Sequence, residues 1–276
     1  PWVFPQSSML LDQEAVAPHV YRLWDHTLQT IRYLEWMMAY LKWDMPKPHS
    51  PKLAQIFDLV QPYRTELGSH FDEQLQAGRP RWALFYIAAL CHDVGKPLSR
   101  TTDASGEQHF HTHPHTSAEL VGELKEAFLL GNHDARYLKL LVGEHMRLHY
   151  LSASQEKPSG RAVFRFFNKL GDVGLDVIFL SLADALAAKE STLTLAEWES
   201  ELLVARTLLE AWYKQPEKVI RPSPLFDGND LQEKFELEPG PVVGRVLKLL
   251  IEAQAAGEVT SQDEARAFVE KVLKTQ

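Results

Sequence analysis

Apolar positions along the chain recur mostly at intervals of three and four. In "DHTLQTIRYLEWMMAYLKW", Leu28, Ile31, Leu34, Met38 and Leu41 fall on one stripe, which predicts an amphipathic helix ending at the proline-rich breaker "DMPKPHSP". Two further apolar helices are read at 81–95 and about 175–189. Strand-like sequence is scarce: only "LSRTTDASGEQHFHTHPH" combines turn residues with alternation, and it predicts one short hairpin or inserted loop. The segment 214–230, "KQPEKVIRPSPLFDGND", carries proline and Asp-Gly turn signals and reads as a linker. Beyond it Pro241 suits a first helical position, Gly257 a helix end, and Ser261 with Glu264 the capping box that opens another helix. The pattern predicts an all-α protein: a helical bundle over 1–213, a linker at 214–230 and a smaller helical tail over 231–276.

Composition narrows the function classes. The 276 residues carry a formal net charge of −8, which argues against a protein that coats nucleic acid or anionic membrane non-specifically and leaves room only for a local basic groove. The longest apolar run, Trp82 to Cys91, falls well short of the roughly 20 residues needed to cross a bilayer. One cysteine, Cys91, rules out an internal disulfide framework and suits a reducing, cytoplasmic setting. The segment "PWVFPQSSMLLDQ" lacks the basic and apolar regions of a secretory signal and does not begin with methionine, as expected of a processed chain or a fragment.

The chemistry centres on "ALCHDVGKP", where an apolar run ends in His92 and Asp93. Both groups are costly to bury unless hydrogen-bonded, paired or bound to a metal. His and Asp together are good donors for Mn, Fe, Co, Ni or Zn, but two ligands make a weak site. Read as a continuing helix, the stretch places Lys96 on the face of His92. Further donors are available in His26, His113, His145 and Asp184, the last interrupting a run that is apolar from Val177 to Ala188 apart from Ser181. The blander readings are a core His-Asp pair, a salt bridge at Asp184 and a surface lysine at 96. His109, His111, His113 and His115 would share one face if extended, with His113 the chosen ligand among them. His145 and His149 stand at i and i+4, with His149 read as a solvated neighbour.

The order His26, His92-Asp93, His113, His145, Asp184 resembles the HD superfamily of metal-dependent phosphohydrolases. It is closer still to the HD and tail regions of bacterial tRNA nucleotidyltransferases, the CCA-adding and poly(A) polymerase group. The family's "LAALLHDVGKP", "HFYGHE", His followed by Met-Arg, and L-x-x-AD are matched here by "IAALCHDVGKPLSRT", "HFHTHPH", "GEHMR" and "LSLAD". Thr112 and Pro114 depart from the Gly and Glu common in the relatives. The tail "LFDGNDLQEKFELEPGPVVGRVLKLLIEAQAAGEVTSQDEA" is similar to the end of those enzymes, so the resemblance runs from about Leu23 to the C-terminus.

The resemblance implies an HD-domain helical bundle holding one or two divalent metal ions (Mn, Ni, Co, Fe, Mg or Zn). It implies His26, His92, Asp93 and Asp184 as one ligand set, with His113 and His145 holding a second ion or contacting phosphate. Asp93 and Lys96 are the implied catalytic residues, Lys96 as phosphate contact and proton donor. Lys96, Arg147, Arg165 and, more remotely, Arg161 are candidates for substrate phosphate. The implied activity is hydrolysis of phosphomonoesters or 2′,3′-cyclic phosphates on nucleotides or RNA 3′ ends by a metal-activated water, with tRNA a further partner and no DNA or membrane expected. The rival implication is a helical RNA-handling module whose HD site is vestigial or structural. The polymerase reaction of that family needs an Asp-x-Asp pair, and none occurs here, so nucleotide addition is not expected of this chain.

Overall fold

The helix over Val173–Lys189 organises the larger part of the molecule because nearly every side chain on it is apolar and every described one is buried. A helix apolar all round needs partners on all sides. The computed structural model of the chain describes residues 22–274 except 44, 47, 76, 77, 190 and 191. The N-terminal stretch read above for a signal lies outside these residues.

In chain order the helices are α1 (Leu23–Lys42), α2 (Pro51–Val60), α3 (Arg64–Asp72), α4 (Arg81–Cys91), α5 (His113–Ala127), α6 (Asn132–Glu144), α7 (Arg147–Ser152), α8 (Gly160–Leu170), α9 (Val173–Lys189), α10 (Leu195–Lys214), α11 (Gly228–Phe235), α12 (Pro241–Ala255) and α13 (Gln262–Lys274). The only sheet among the described residues is the antiparallel pair β1 (Thr101–Thr102) and β2 (Gln108–His109), between α4 and α5. The expected all-α fold with one short hairpin is what forms.

The chain divides into two units. One takes the described residues up to Gln155 together with Asp172–Ala205, and the other takes Glu156–Gly171 and Arg206–Gln276. In the first, α9 packs against α1, α6 and α7, while α1 and α6 also pack against α4. In the second, Phe226, Leu231, Val246, Leu250, Ala265 and Val269 form a separate core. Its helices begin and end as their sequence dictates. Asp227 and Asp230 form a reciprocal capping box at α11, Pro241 sits in the first turn of α12, Gly257 takes a positive φ after it, and Ser261 and Glu264 bond each other's backbone N–H at α13.

Two local expectations are corrected. The buried face of α1 runs through Leu23, His26, Thr27, Thr30, Leu34, Met37, Met38 and Leu41, whereas Leu28 is 44% exposed and Ile31 is half-buried. The buried face is rotated because it carries polar residues where it meets the site. The helix read over 81–95 ends at Cys91: the His92 ring donates through Nδ1 to the Ala89 carbonyl at 2.7 Å, and residues 92–95 form turns. The side chain thereby satisfies a carbonyl at the helix C-terminus. Lys96 then lies in a 3-10 turn over Lys96–Leu98, not on a continuing helix face.

Candidate metal centre

Four helices and one turn bring the six expected donors together inside the first unit. His26 comes from the first turn of α1, His92 and Asp93 from the turn after α4, His113 from the start of α5, His145 from the end of α6, and Asp184 from α9. All six are buried.

Three of the imidazoles are oriented the same way. His92 Nδ1 lies 2.7 Å from the Ala89 carbonyl, His113 Nδ1 2.7 Å from Phe110 and His145 Nδ1 2.7 Å from Val142. A carbonyl only accepts, so each Nδ1 carries the proton and each Nε2 offers a lone pair. His92 and His145 occupy the C-cap positions of α4 and α6, where carbonyls lack helical partners. The helix ends therefore select the tautomer, as a backbone partner does for a metal-ligating histidine.

The Nε2 atoms converge on two carboxylates. Asp93 Oδ2 is 3.3 Å from His26 Nε2, 3.3 Å from His92 Nε2 and 2.6 Å from Lys96 Nζ. Asp93 Oδ1 is 3.1 Å from His113 Nε2 and 3.8 Å from His145 Nε2. Asp184 Oδ1 is 2.9 Å from His26 Nε2 and 3.5 Å from His92 Nε2. The imidazoles also face one another, His92 Nε2 to His26 Nε2 at 3.3 Å and His113 Nε2 to His145 Nε2 at 3.2 Å. Two donor groups result, His26, His92, Asp93 and Asp184 in one and Asp93, His113 and His145 in the other, with Asp93 common to both.

The donor chemistry fits a cation. Asp93 Oδ1 and Asp184 Oδ1 are buried oxygens that accept no well-aligned hydrogen bond, a costly state for a carboxylate without compensating charge. Burial resists a charge on His92, but Asp93 and Asp184 outweigh it and lift its pKa to about 10. Burial also opposes the charge on Asp93, yet Lys96 and the surrounding imidazoles hold it well below the usual carboxylate range. For Asp184, His149, His26 and His92 do the same. His145 goes the other way, depressed by burial and by His113 and His92, which keeps it neutral. The carboxylates demand positive charge at the Nε2 positions, and a metal ion supplies it by displacing protons.

Two residues beyond the expected set belong to this site. His149, read from sequence as a solvated neighbour, is half-buried and bridges Glu201 Oε1 at 2.7 Å and Asp184 Oδ2 at 3.2 Å. Burial resists its charge, but Glu201 and Asp184 lift its pKa to about 10. Its i+4 spacing from His145 was a usable signal. Glu201, 52 residues away, gave none. The four alternating histidines do not share one extended face: the strand ends at His109, and His113 and His115 belong to α5. Thr112 takes the N-cap of α5 and Pro114 falls in its first turn, where its missing N–H costs nothing. Arg147 belongs to the first unit and pairs with Glu144 at 3.3 Å, whereas Arg165 and Arg161 belong to the second unit, where both pair with Glu252.

A family model described as HD domain matches residues 23–189. The chain belongs to the HD domain family. Membership implies divalent-metal binding, and the buried His/Asp cluster within the HD domain is a donor set for such an ion. The chain is similar to an A-adding tRNA nucleotidyltransferase of Deinococcus radiodurans, 33% identical over 192 residues, which cover 69% of this chain and 41% of the relative. It is also similar to a CC-adding tRNA nucleotidyltransferase of Thermus thermophilus, 29% identical over 266 residues, or 96% of this chain and 48% of the relative. A CC-adding enzyme of Synechocystis is 23% identical over 155 residues, 50% of this chain and 34% of that one. The chain thus spans about half the length of the curated relatives it matches. No described helix is long and apolar enough to cross a membrane.

Proposed function

We propose that the HD domain of this chain is a metal-dependent phosphohydrolase acting on phosphomonoesters or 2′,3′-cyclic phosphates of nucleotides or RNA ends. The observation that carries the proposal is the convergence of Nε2 lone pairs, fixed by backbone carbonyls, on two carboxylates with Asp93 shared between two donor groups. His26, His92, Asp93 and Asp184 would hold one divalent ion, and Asp93, His113 and His145 a second. A bound divalent ion supplies Lewis-acid polarisation of a phosphoryl oxygen and a nucleophilic water at neutral pH.

The remaining groups position. Lys96 holds Asp93 by its Oδ2 and places an ammonium beside the donors, where it can meet a phosphoryl oxygen or give a proton to the leaving oxygen. Glu201 fixes His149, and His149 fixes Asp184. Ser181 on α9 donates to the backbone carbonyl of His145 and fastens that ring's segment to the central helix.

A second reading is favoured by the similarity to the Thermus relative, which extends over 96% of this chain and so includes the tail. On that reading the chain is a tRNA-handling helical module with a structural metal site. Release of phosphate or opening of 2′,3′-cyclic AMP, assayed with Mn, Ni, Co and Mg, separates the two. The hydrolase reading expects turnover that His92→Ala and Asp93→Ala abolish. Metal retention without turnover on any of these substrates favours the module.

A further inference from the structure

Two cavities are lined by donors of the metal centre or by their chain neighbours, and their charges differ. One, of about 410 Å³, opens onto Asp184 and is walled by Glu197 and Glu201 beside His149. It repels a phosphate. The other, of about 790 Å³, is lined by the residues flanking two of the donors: Thr112 and Pro114 on either side of His113, Glu144 and Met146 on either side of His145. Its walls carry Arg136, Lys139 and Arg147 together with Tyr150.

This second wall is unusual in a chain of net charge −8. Arg136 and Lys139 are exposed, and among the described residues neither has an ion-pair partner. The one carboxylate in the wall, Glu144, pairs with Arg147. Tyr150 is 61% exposed, so much of its ring is open to a ligand. Arg136 and Lys139 stand three apart on α6, and Arg147 and Tyr150 three apart on α7, so each pair shares a helix face and all four line the cavity. Thr112 provides no side-chain cap at the start of α5, which leaves that helix end, with its partial positive charge, facing the same space. Cations at successive positions beside an exposed ring are what a single strand needs, with phosphates on the cations and a base on the ring.

We infer that this groove binds a single-stranded oligonucleotide, its phosphates on Arg136, Lys139 and Arg147 and a base on Tyr150, with the terminal phosphate directed to the His113 and His145 side of the centre. The inference rests on the hydrolase reading for the direction of the strand and names the substrate class as oligonucleotide rather than mononucleotide.

The test measures binding without turnover. A fluorescein-labelled five-nucleotide single-stranded RNA bearing a 3′-phosphate is titrated with the full chain at two salt concentrations, with 3′-AMP as competitor. The oligonucleotide is expected to bind at least about tenfold more tightly than the mononucleotide. The Arg136→Ala/Lys139→Ala double variant should weaken it and flatten the slope of log affinity against log salt by about 1.4, from about 0.7 per phosphate contact. Tyr150→Ala should cost about fivefold or more, and Tyr150→Phe should restore binding. An unchanged slope and affinity in the double variant, or a mononucleotide that binds as tightly as the oligomer, overturns the inference. Groove-dependent binding without phosphate release would sustain it and defeat the hydrolase reading; turnover by a wild-type chain whose groove variants bind normally would do the reverse.

Discussion

Asp93 divides its oxygens between two pairs of imidazoles, Oδ2 toward His26 and His92 and Oδ1 toward His113 and His145. Among the described residues it is the donor common to both groups, so its loss disturbs the whole centre. Asp184 serves one group only, which makes it the more informative substitution. Asp184→Asn keeps the size and loses the charge. Loss of a supporting outer partner typically costs 10–100-fold in metal affinity, so loss of a ligand's charge should cost at least about 100-fold. Metal titration should show that drop with little change in unfolding temperature; a salt-bridge role alone would lower stability and spare metal binding. At this scale the sequence was most legible where a polar group interrupts an apolar run, as Asp184 does. His149 escaped because its importance comes from Glu201, which only the tertiary fold brings to it.

At the scale of elements, α9 anchors the first unit through buried polar side chains set along an otherwise apolar helix. Asp176 accepts from Tyr137, His70 and Arg81, Ser181 donates to His145, and Asp184 meets His26 and His149. Arg81 also pairs with Glu73 and Asp172, closing the end of the bundle where α4 and α9 begin. Arg81→Met breaks a buried pair and should lower the unfolding free energy by about 3–5 kcal/mol, read by denaturant titration. The turn after α4 makes a different demand. A Cβ at Gly95 would stand 2.5 Å from the Ser117 nitrogen and 2.8 Å from the His113 carbonyl, so only glycine lets the His-Asp turn lie this close to α5. Gly95→Ala should destabilise by about 1–3 kcal/mol and, by parting Asp93 from His113, weaken metal binding as well. Periodicity located the helices but not the end of α4, because the break comes from a side-chain bond of His92 to Ala89 that no apolar pattern encodes. It also placed the α1 stripe on Leu28, since the buried face there carries His26, Thr27 and Thr30 in place of hydrocarbon.

For the whole molecule, the family match covers 23–189, and the tail forms its own core within a second unit. The tail's capping signals were readable in sequence because caps are local. The participation of α8 in that second unit was not, since it depends on contacts of 160–170 with residues far along the chain, such as Gly160 against Ala255. A net charge of −8 hid a basic groove, because a sum of charges says nothing about where they lie. What unites these features is the claim that the buried His/Asp cluster is built for a divalent cation. The most direct measurement is metal content per chain by mass spectrometry, after loading and desalting, for wild type, His92→Ala and Asp93→Ala. The account predicts one to two equivalents of a divalent transition metal in the wild type and a fall to well under half of that in both variants; equal metal content in all three, or none in the wild type at any metal offered, would contradict it.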